Sequence, residues 1–267
     1  MSLRSNARLY APTRGLAEVW RALFARVAAA AGVPLEPLDH PAPAPLEDLW
    51  RRDDLGLAFL CGFPFARGDY PVVPVAAPVP RGATGPFYAT DLVARADGDV
   101  RDLADAFGRR VGWTVEHSQS GFNALRHHLL RHRTPERPRL FAASVGPLVT
   151  PRAVIEALRD GRIDLGPLDS HVHALLKAEE PETAAALRVV DTTVPTPMPL
   201  LVASAGADPE AVTRLRAALL ALAADETARP LLARLHLTGF AAVERADYRP
   251  LLDGAEAAER AGYPLPA

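Results

Sequence analysis

The sequence predicts a two-lobed α/β protein built on mostly parallel sheets. Three observations carry that reading. Short apolar runs alternate with amphipathic helical stretches along the whole chain. The run over residues 56–61 is apolar throughout, as a strand covered on both faces of a parallel sheet must be. The chain has 267 residues, a length at which one hydrophobic core commonly gives way to two.

Each element follows from local pattern. Residues 7–11 read as a first strand, with Tyr10 near its end. Thr13 caps a helix whose apolar face is Leu16, Val19, Trp20, Leu23, Phe24 and Val27, and Gly32 stops it. Segment 34–45 carries five prolines and reads as an extended connector. A short helix over 46–52 precedes the strand 56–61. Prolines in the strand 72–79 place it at a sheet edge or end. A strand over 88–94, a helix over 99–107 and a strand over 110–115 follow. The helix 120–132 turns Phe122, Leu125, Leu129 and Leu130 inward, and 140–145 is a strand. Thr150 as N-cap, Pro151 at the first helical position and Gly161 as the stop frame a helix over 152–160. A strand over 163–165 leads to a helix opened by Asp169 or Ser170 that runs through Lys177. Strands over 187–191 and 200–204 precede a helical remainder, 209–223 and 225–235 foremost.

Composition excludes several classes of function. Thirty Lys and Arg against 32 Asp and Glu leave a net charge of -2, so there is no basic field to hold a nucleic-acid backbone. The single cysteine, Cys61, permits no intramolecular disulfide and reads as a small buried hydrophobe. The longest uncharged stretch, 192–207, is short and broken by Pro195, Pro197 and Pro199, so no direct membrane insertion is expected. The first residues, Met-Ser-Leu-Arg-Ser-Asn-Ala-Arg, contain no apolar secretory core. Either the protein is cytoplasmic or a removed signal precedes this chain.

In an α/β sheet, ligands gather where strands end and helix N-termini converge. The most informative such turn is Trp113-Thr-Val-Glu-His-Ser-Gln-Ser-Gly-Phe-Asn. Here Ser118, Ser120 and Gly121 lead into a helix whose first amides lack partners, which makes an anion site. The alternative is that one serine is simply an N-cap. His117 adjoins this turn and is placed to donate to a ligand oxygen. Asp169 and Ser170 form a second strand-to-helix turn, where Asp169 either accepts from a ligand or caps the helix. Thr150 opens a third helix, with Arg152 in its first turn available to an anion; capping is again the alternative. Tyr10, Phe63, Phe65, Phe87 and Tyr88 line a pocket or pack in a core. His128 and His132 have the i, i+4 spacing of a zinc pair. Arg126, His127, Arg131 and Arg133 beside them read as a solvated basic face, so no metal is expected. Gly-x-Ser-x-Gly and the glycine-rich phosphate loops are absent, and no catalytic residue or cofactor is expected.

Taken in order, these segments resemble a known family. Tyr88-Ala-Thr-Asp-Leu-Val-Ala-Arg-Ala-Asp is followed by Asp102-Leu-Ala-Asp-Ala-Phe-Gly-Arg-Arg-Val. Then come His117-Ser-Gln-Ser-Gly-Phe and Val154-Ile-Glu-Ala-Leu-Arg-Asp-Gly-Arg-Ile-Asp-Leu-Gly-Pro-Leu-Asp-Ser. The order is similar, over about residues 7–240, to that of the phosphate, phosphite and phosphonate-binding subunits of ABC transporters, which have the type II periplasmic-binding-protein fold. The resemblance implies two lobes, one of residues 1–84 with 191–267 and an inserted one of residues 85–190. Crossovers near 80–90 and 188–200 would join them, with a cleft between them that closes on the ligand. It implies that Ser118 and Ser120 hold a small anionic ligand at the Gln119–Gly121 helix start, that Tyr88 lines the crevice, and that Asp169 closes it from the opposite wall. It implies a permease partner and a periplasmic location. Gln119 stands where the family has a middle Thr, and a family His is replaced near Pro151. A second expectation is a cytoplasmic enzyme on the same fold, similar to a menaquinone-pathway dehydratase. Asp169 with His117 would be its acid–base pair.

Overall fold

The computed structural model describes residues 2–267; Met1, which opens the N-terminal segment read above, lies outside them. Contacts divide the chain into two units. One takes the chain up to Phe87 together with Pro197–Tyr248. The other takes Tyr88–Thr196 together with Arg249–Ala267.

The first unit is organised by a six-stranded sheet. In spatial order its strands are Leu237–Ala241, Val72–Pro80, Leu200–Ser204, Leu55–Leu60, Leu3–Asn6 and Leu35–Pro37. Leu55–Leu60 is buried at every position, as its unbroken apolar run requires. Helix Arg14–Ala31 covers the sheet with the predicted face. Thr13 Oγ1 accepts the Leu16 amide at one end, and Gly32, at φ 61°, ends the helix in the left-handed region that glycine enters without strain. Trp20 anchors it, with its ring edge-on to Phe59 at 5.1 Å and its indole N–H donated to the Tyr10 carbonyl at 2.9 Å.

Two expectations are corrected in this unit. The sheet is mixed rather than mostly parallel. Leu3–Asn6 runs parallel to both neighbours, while the three pairings that involve Leu200–Ser204 and Leu237–Ala241 are antiparallel. A run of apolar residues reports burial of both faces, not strand direction. The first strand is Leu3–Asn6 instead of 7–11, and Tyr10 closes the short helical turn Arg8–Tyr10 that follows it.

In the second unit, strand Thr90–Arg95 lies between Leu187–Thr192 and Gly166–Asp169, antiparallel to both. Arg110–Gly112 and Ala143–Val145 pair in parallel. Leu92, Val111, Leu125, Leu129, Phe141 and Leu165 form the core beneath them. Helix Pro151–Arg159 has Thr150 as its cap, Pro151 at its start and Gly161 just past its end. The predicted helix over 99–107 shrinks to the single turn Ala104–Ala106. The reason is local. Asp102 Oδ1 captures the Asp105 amide, which a helix from 99 would bond to the Arg101 carbonyl, and Asp105 Oδ2 reaches back to the amides of Arg101 and Asp102, so the two side chains cap a helix start at Asp102 in place of an earlier one. The predicted strand 163–165 begins later, at Gly166. Leu165 contributes only an isolated bridge to Val111.

The units also part from the expected boundaries, with chain crossings at 87/88 and 196/197 and the tail assigned differently. Helix Arg249–Arg260 packs on helix Ala124–Leu129 of the second unit. Arg126 secures it. The buried guanidinium donates to the carbonyls of Tyr263 and Pro264 at 3.2 Å each, and to Asn123 Oδ1 at 2.8 Å. Its charge also lies over the Phe122 ring at 4.5 Å. An amphipathic pattern shows that a helix must dock, not on which core. No helix among the described residues is long and apolar enough to cross a membrane.

Arg126→Ala strands two buried acceptors, the Tyr263 carbonyl and Asn123 Oδ1, and is expected to cost about 2–3 kcal/mol. Hydrogen exchange should rise in residues 249–267 and in helix Ala124–Leu129. Unchanged exchange in the tail would show that Arg126 does not hold it.

Candidate functional site

The helical run that begins at Gln119 starts with a π-type turn, Gln119–Asn123, continues as α-helix Ala124–Leu129 and ends in the tighter turn Leu130–His132. Its first bonds are wide. Asn123 N–H donates to the Ser118 carbonyl at 3.1 Å, and Ala124 N–H to that of Gln119. The amides of Gln119, Ser120 and Phe122 therefore precede the first intrahelical bonds. Ser118 is the N-cap, its Oγ accepting the Gly121 amide at 3.0 Å. A hydroxyl that accepts in this way still has its own hydrogen to donate. Ser120 is half-buried beside it. Capping and ligand binding, alternatives in the sequence, are thus compatible at Ser118.

The turn is clamped from three sides. Thr90 Oγ1 donates to the Ser120 carbonyl at 3.1 Å. Thr114 N–H donates to the Gly121 carbonyl at 3.1 Å. Asn123 Nδ2 donates at 3.1 Å to the carbonyls of both Glu116 and Ser118, and its Oδ1 is in turn held by Arg126. Gly121 is required by contact: a Cβ there would lie 1.9 Å from Thr114 Oγ1 and 2.9 Å from Thr114 Cβ. Thr114 Oγ1 and Gln119 Oε1 are buried with no hydrogen-bond partner among the described residues. Gln119 also lines a small cavity within the second unit, with Asn123, His127, His128, Thr193 and Pro250. Sequence reasoning missed Thr90, Thr114, Asn123 and Arg126. Asn123, five residues after Ser118 at π-type spacing, is the one with a visible signal.

The remaining candidates divide. Asp169 faces Thr90 in the strand pairing, and Gly166–Asp169 packs on the Gln119–Asn123 turn. It therefore belongs to the same unit as Ser118, not to an opposing wall. It caps helix Ser170–Glu179, with Oδ1 accepting the amides of His171 and Val172 at 2.8 and 3.0 Å. Ser170 is committed as well, its hydroxyl oxygen accepting the Ala89 amide at 3.0 Å. Tyr88 is buried two residues before Thr90. His117 is half-buried in the turn before Ser118. Thr150 caps its helix through the Ala153 amide at 3.1 Å, and the Val149 amide before it bonds the Thr114 carbonyl. Arg152 has its anion within the protein, a two-pronged pair with Glu180 at 2.6 and 2.7 Å. That pairing raises the arginine pKa and lowers that of Glu180. Tyr10 lies in the first unit and is a core residue. It is 1% exposed, edge-on to Phe59 at 4.9 Å, with its hydroxyl against Met198 Sδ at 3.7 Å.

The expected solvated basic face on the helix is also corrected. His128 and Arg126 are buried, and only part of that arginine and histidine run meets solvent. Burial pulls the His128 pKa below its ordinary value despite a hydrogen bond to Asp191. Burial would push Asp191 up, but His128, the Thr192 amide and Arg131 together leave it below the carboxylate norm.

Solved structures share this fold. A binding-protein component of an ABC phosphonate transporter from Pseudomonas aeruginosa matches at 17% identity and a TM-score of 0.82, covering 98% of this chain and 87% of that one. PhnD1 from Prochlorococcus marinus, solved with methylphosphonate, matches at 15% identity and a TM-score of 0.77, covering 97% and 98%. A Xanthomonas citri protein solved with ATP matches at 20% identity and a TM-score of 0.66, covering 98% of each. Among curated proteins, none matches. One family model spans residues 10–248 and so includes the Ser118–Gly121 turn. That family consists of transporter solute-binding proteins, which leaves the enzyme reading without support. The chain belongs to the family of periplasmic substrate-binding proteins of phosphonate ABC transporters.

Proposed function

We propose that the chain binds a small oxyanion of the phosphate, phosphite or phosphonate class at the Ser118–Gly121 turn and presents it to its transporter. The observation that carries this reading is the family match over residues 10–248, which takes in that turn. Membership implies a small ligand and a permease partner, and the family is typically periplasmic. The turn supplies suitable chemistry. Unpaired amides and the positive end of the peptide dipoles favour negative charge, and two hydroxyls add donors. No lysine or arginine is needed, so a net charge of -2 is no obstacle. His117 adds a donor at the edge. Asp169, which holds the amides of His171 and Val172, is the acidic member of the proposed lining. Tyr88 and Thr150 belong to the same unit and complete the proposed lining; Tyr10, in the core of the other unit, is left out of it.

Methylphosphonate, phosphite and phosphate are the ligands to screen by thermal shift. At about 100 times its Kd, a bound ligand should stabilise the protein by about 2.7 kcal/mol. The double variant Ser118→Ala with Ser120→Ala should lose the shift. No shift with any oxyanion, or an undiminished shift in the double variant, overturns the assignment.

Gly121→Ala should cost about 1–3 kcal/mol of stability, because the added methyl meets Thr114. It should also displace the Gln119 and Ser120 amides and weaken anion binding in a calorimetric titration. Adding Thr114→Ala should recover part of the stability. Full stability in Gly121→Ala alone would show that the turn is not held by this contact.

A further inference from the structure

The far end of the same helical run carries a cluster that anion binding does not use. His128, His132 and Asp191 bring one donor atom each within 4.8 Å of one another. The His128 side chain is 3% exposed and that of Asp191 is 28% exposed. Asp191 is held in place, its Oδ1 accepting the Thr192 amide at 2.8 Å, which leaves Oδ2 for the cluster. The guanidinium of Arg131 lies among the three donors. Its Nη2 is 3.0 Å from Asp191 Oδ2 and 2.9 Å from His128 Nε2, and its Nε donates to His132 Nε2 at 3.1 Å.

His128 Nε2 is 2.7 Å from Asp191 Oδ2 and 2.9 Å from the Arg131 donor. With a hydrogen on Nε2, Asp191 Oδ2 accepts from both His128 and Arg131, so the guanidinium and a proton occupy the place between the three donors. A cation that takes lone pairs from all three would stand in for both, and two imidazoles with one carboxylate form a donor set suited to zinc and its neighbours.

We propose that His128, His132 and Asp191 form a site for one divalent transition-metal ion of the zinc class, and that Arg131 occupies the donors when the metal is absent. Ligands of a tetrahedral ion with bonds of about 2.0–2.1 Å lie about 3.3 Å apart. The His128–Asp191 pair therefore opens by about 0.6 Å, and the most distant pair closes by at most about 1.5 Å. Arg131 is 56% exposed and has solvent to move into. Water completes the coordination. The bound ion would tie the helix that starts at the Ser118 turn to strand Leu187–Thr192.

The test is calorimetric titration of the untagged, chelator-treated full chain with Zn²⁺, and with Co²⁺ followed by visible absorption. One ion should bind per chain, and Co²⁺ should give the absorption band of a low-coordinate nitrogen and oxygen site. His132→Ala and Asp191→Asn should each weaken binding by more than about 100-fold, since even loss of an outer-shell partner costs 10–100-fold. Arg131→Ala should tighten it several-fold by removing the competing cation. His132 and Arg131 are not core residues, so these two variants decide the matter even if substitution at His128 disturbs folding. Absence of stoichiometric binding, or unchanged affinity in His132→Ala, overturns the proposal.

Discussion

The contact between Thr114 and Gly121 sets the geometry on which the candidate site depends. The threonine hydroxyl occupies the space that any side chain at 121 would need, and its amide holds the Gly121 carbonyl. The π-type turn is thereby pressed against the strand end, with Thr90 fixing the Ser120 carbonyl and Asn123 those of Glu116 and Ser118 just before the turn. Each such bond contributes only about 1 kcal/mol. Their importance is that they order the turn before any ligand arrives, so binding need not supply that ordering.

Support for this turn reaches to the end of the chain. Asn123 holds the Ser118 and Glu116 carbonyls, Arg126 holds Asn123, and the same guanidinium holds the carbonyls of Tyr263 and Pro264. Burial pulls the Arg126 pKa below its usual value. Carbonyls and an aromatic face partly replace the water that the cation has lost. A buried cation with this many acceptors makes the tail part of the unit that carries the site. The same helical run therefore carries two donor sets: at its start, backbone amides and hydroxyls; at its end, two imidazoles and a carboxylate shared with a guanidinium.

Much of this was legible in residue order. The cap, face and stop of helix Arg14–Ala31 were visible because N-caps, 3.6-residue periodicity and C-terminal glycine are local signals. So was the Thr150–Gly161 frame. The Ser118–Gly121 helix start was visible for the same reason. Strand direction in the first unit was not, because apolar residues report burial rather than polarity of the chain. The 99–107 segment failed because Asp102 and Asp105 compete for backbone amides, a contest that average helical propensity does not resolve.

Local composition thus established that the chain alternates strands and helices and that its charges nearly balance, and it marked one helix start as a candidate for anion binding. Those properties depend on neighbours within a few residues. Long-range packing decided that Tyr10 is core, that Asp169 pairs with Thr90 on a strand packed against the Gln119–Asn123 turn, and that the tail docks on helix Ala124–Leu129. It also turned His128 from a surface charge into a buried partner of Asp191, 63 positions away. Such pairings depend on which surfaces exclude water together, and no local pattern along the chain encodes that.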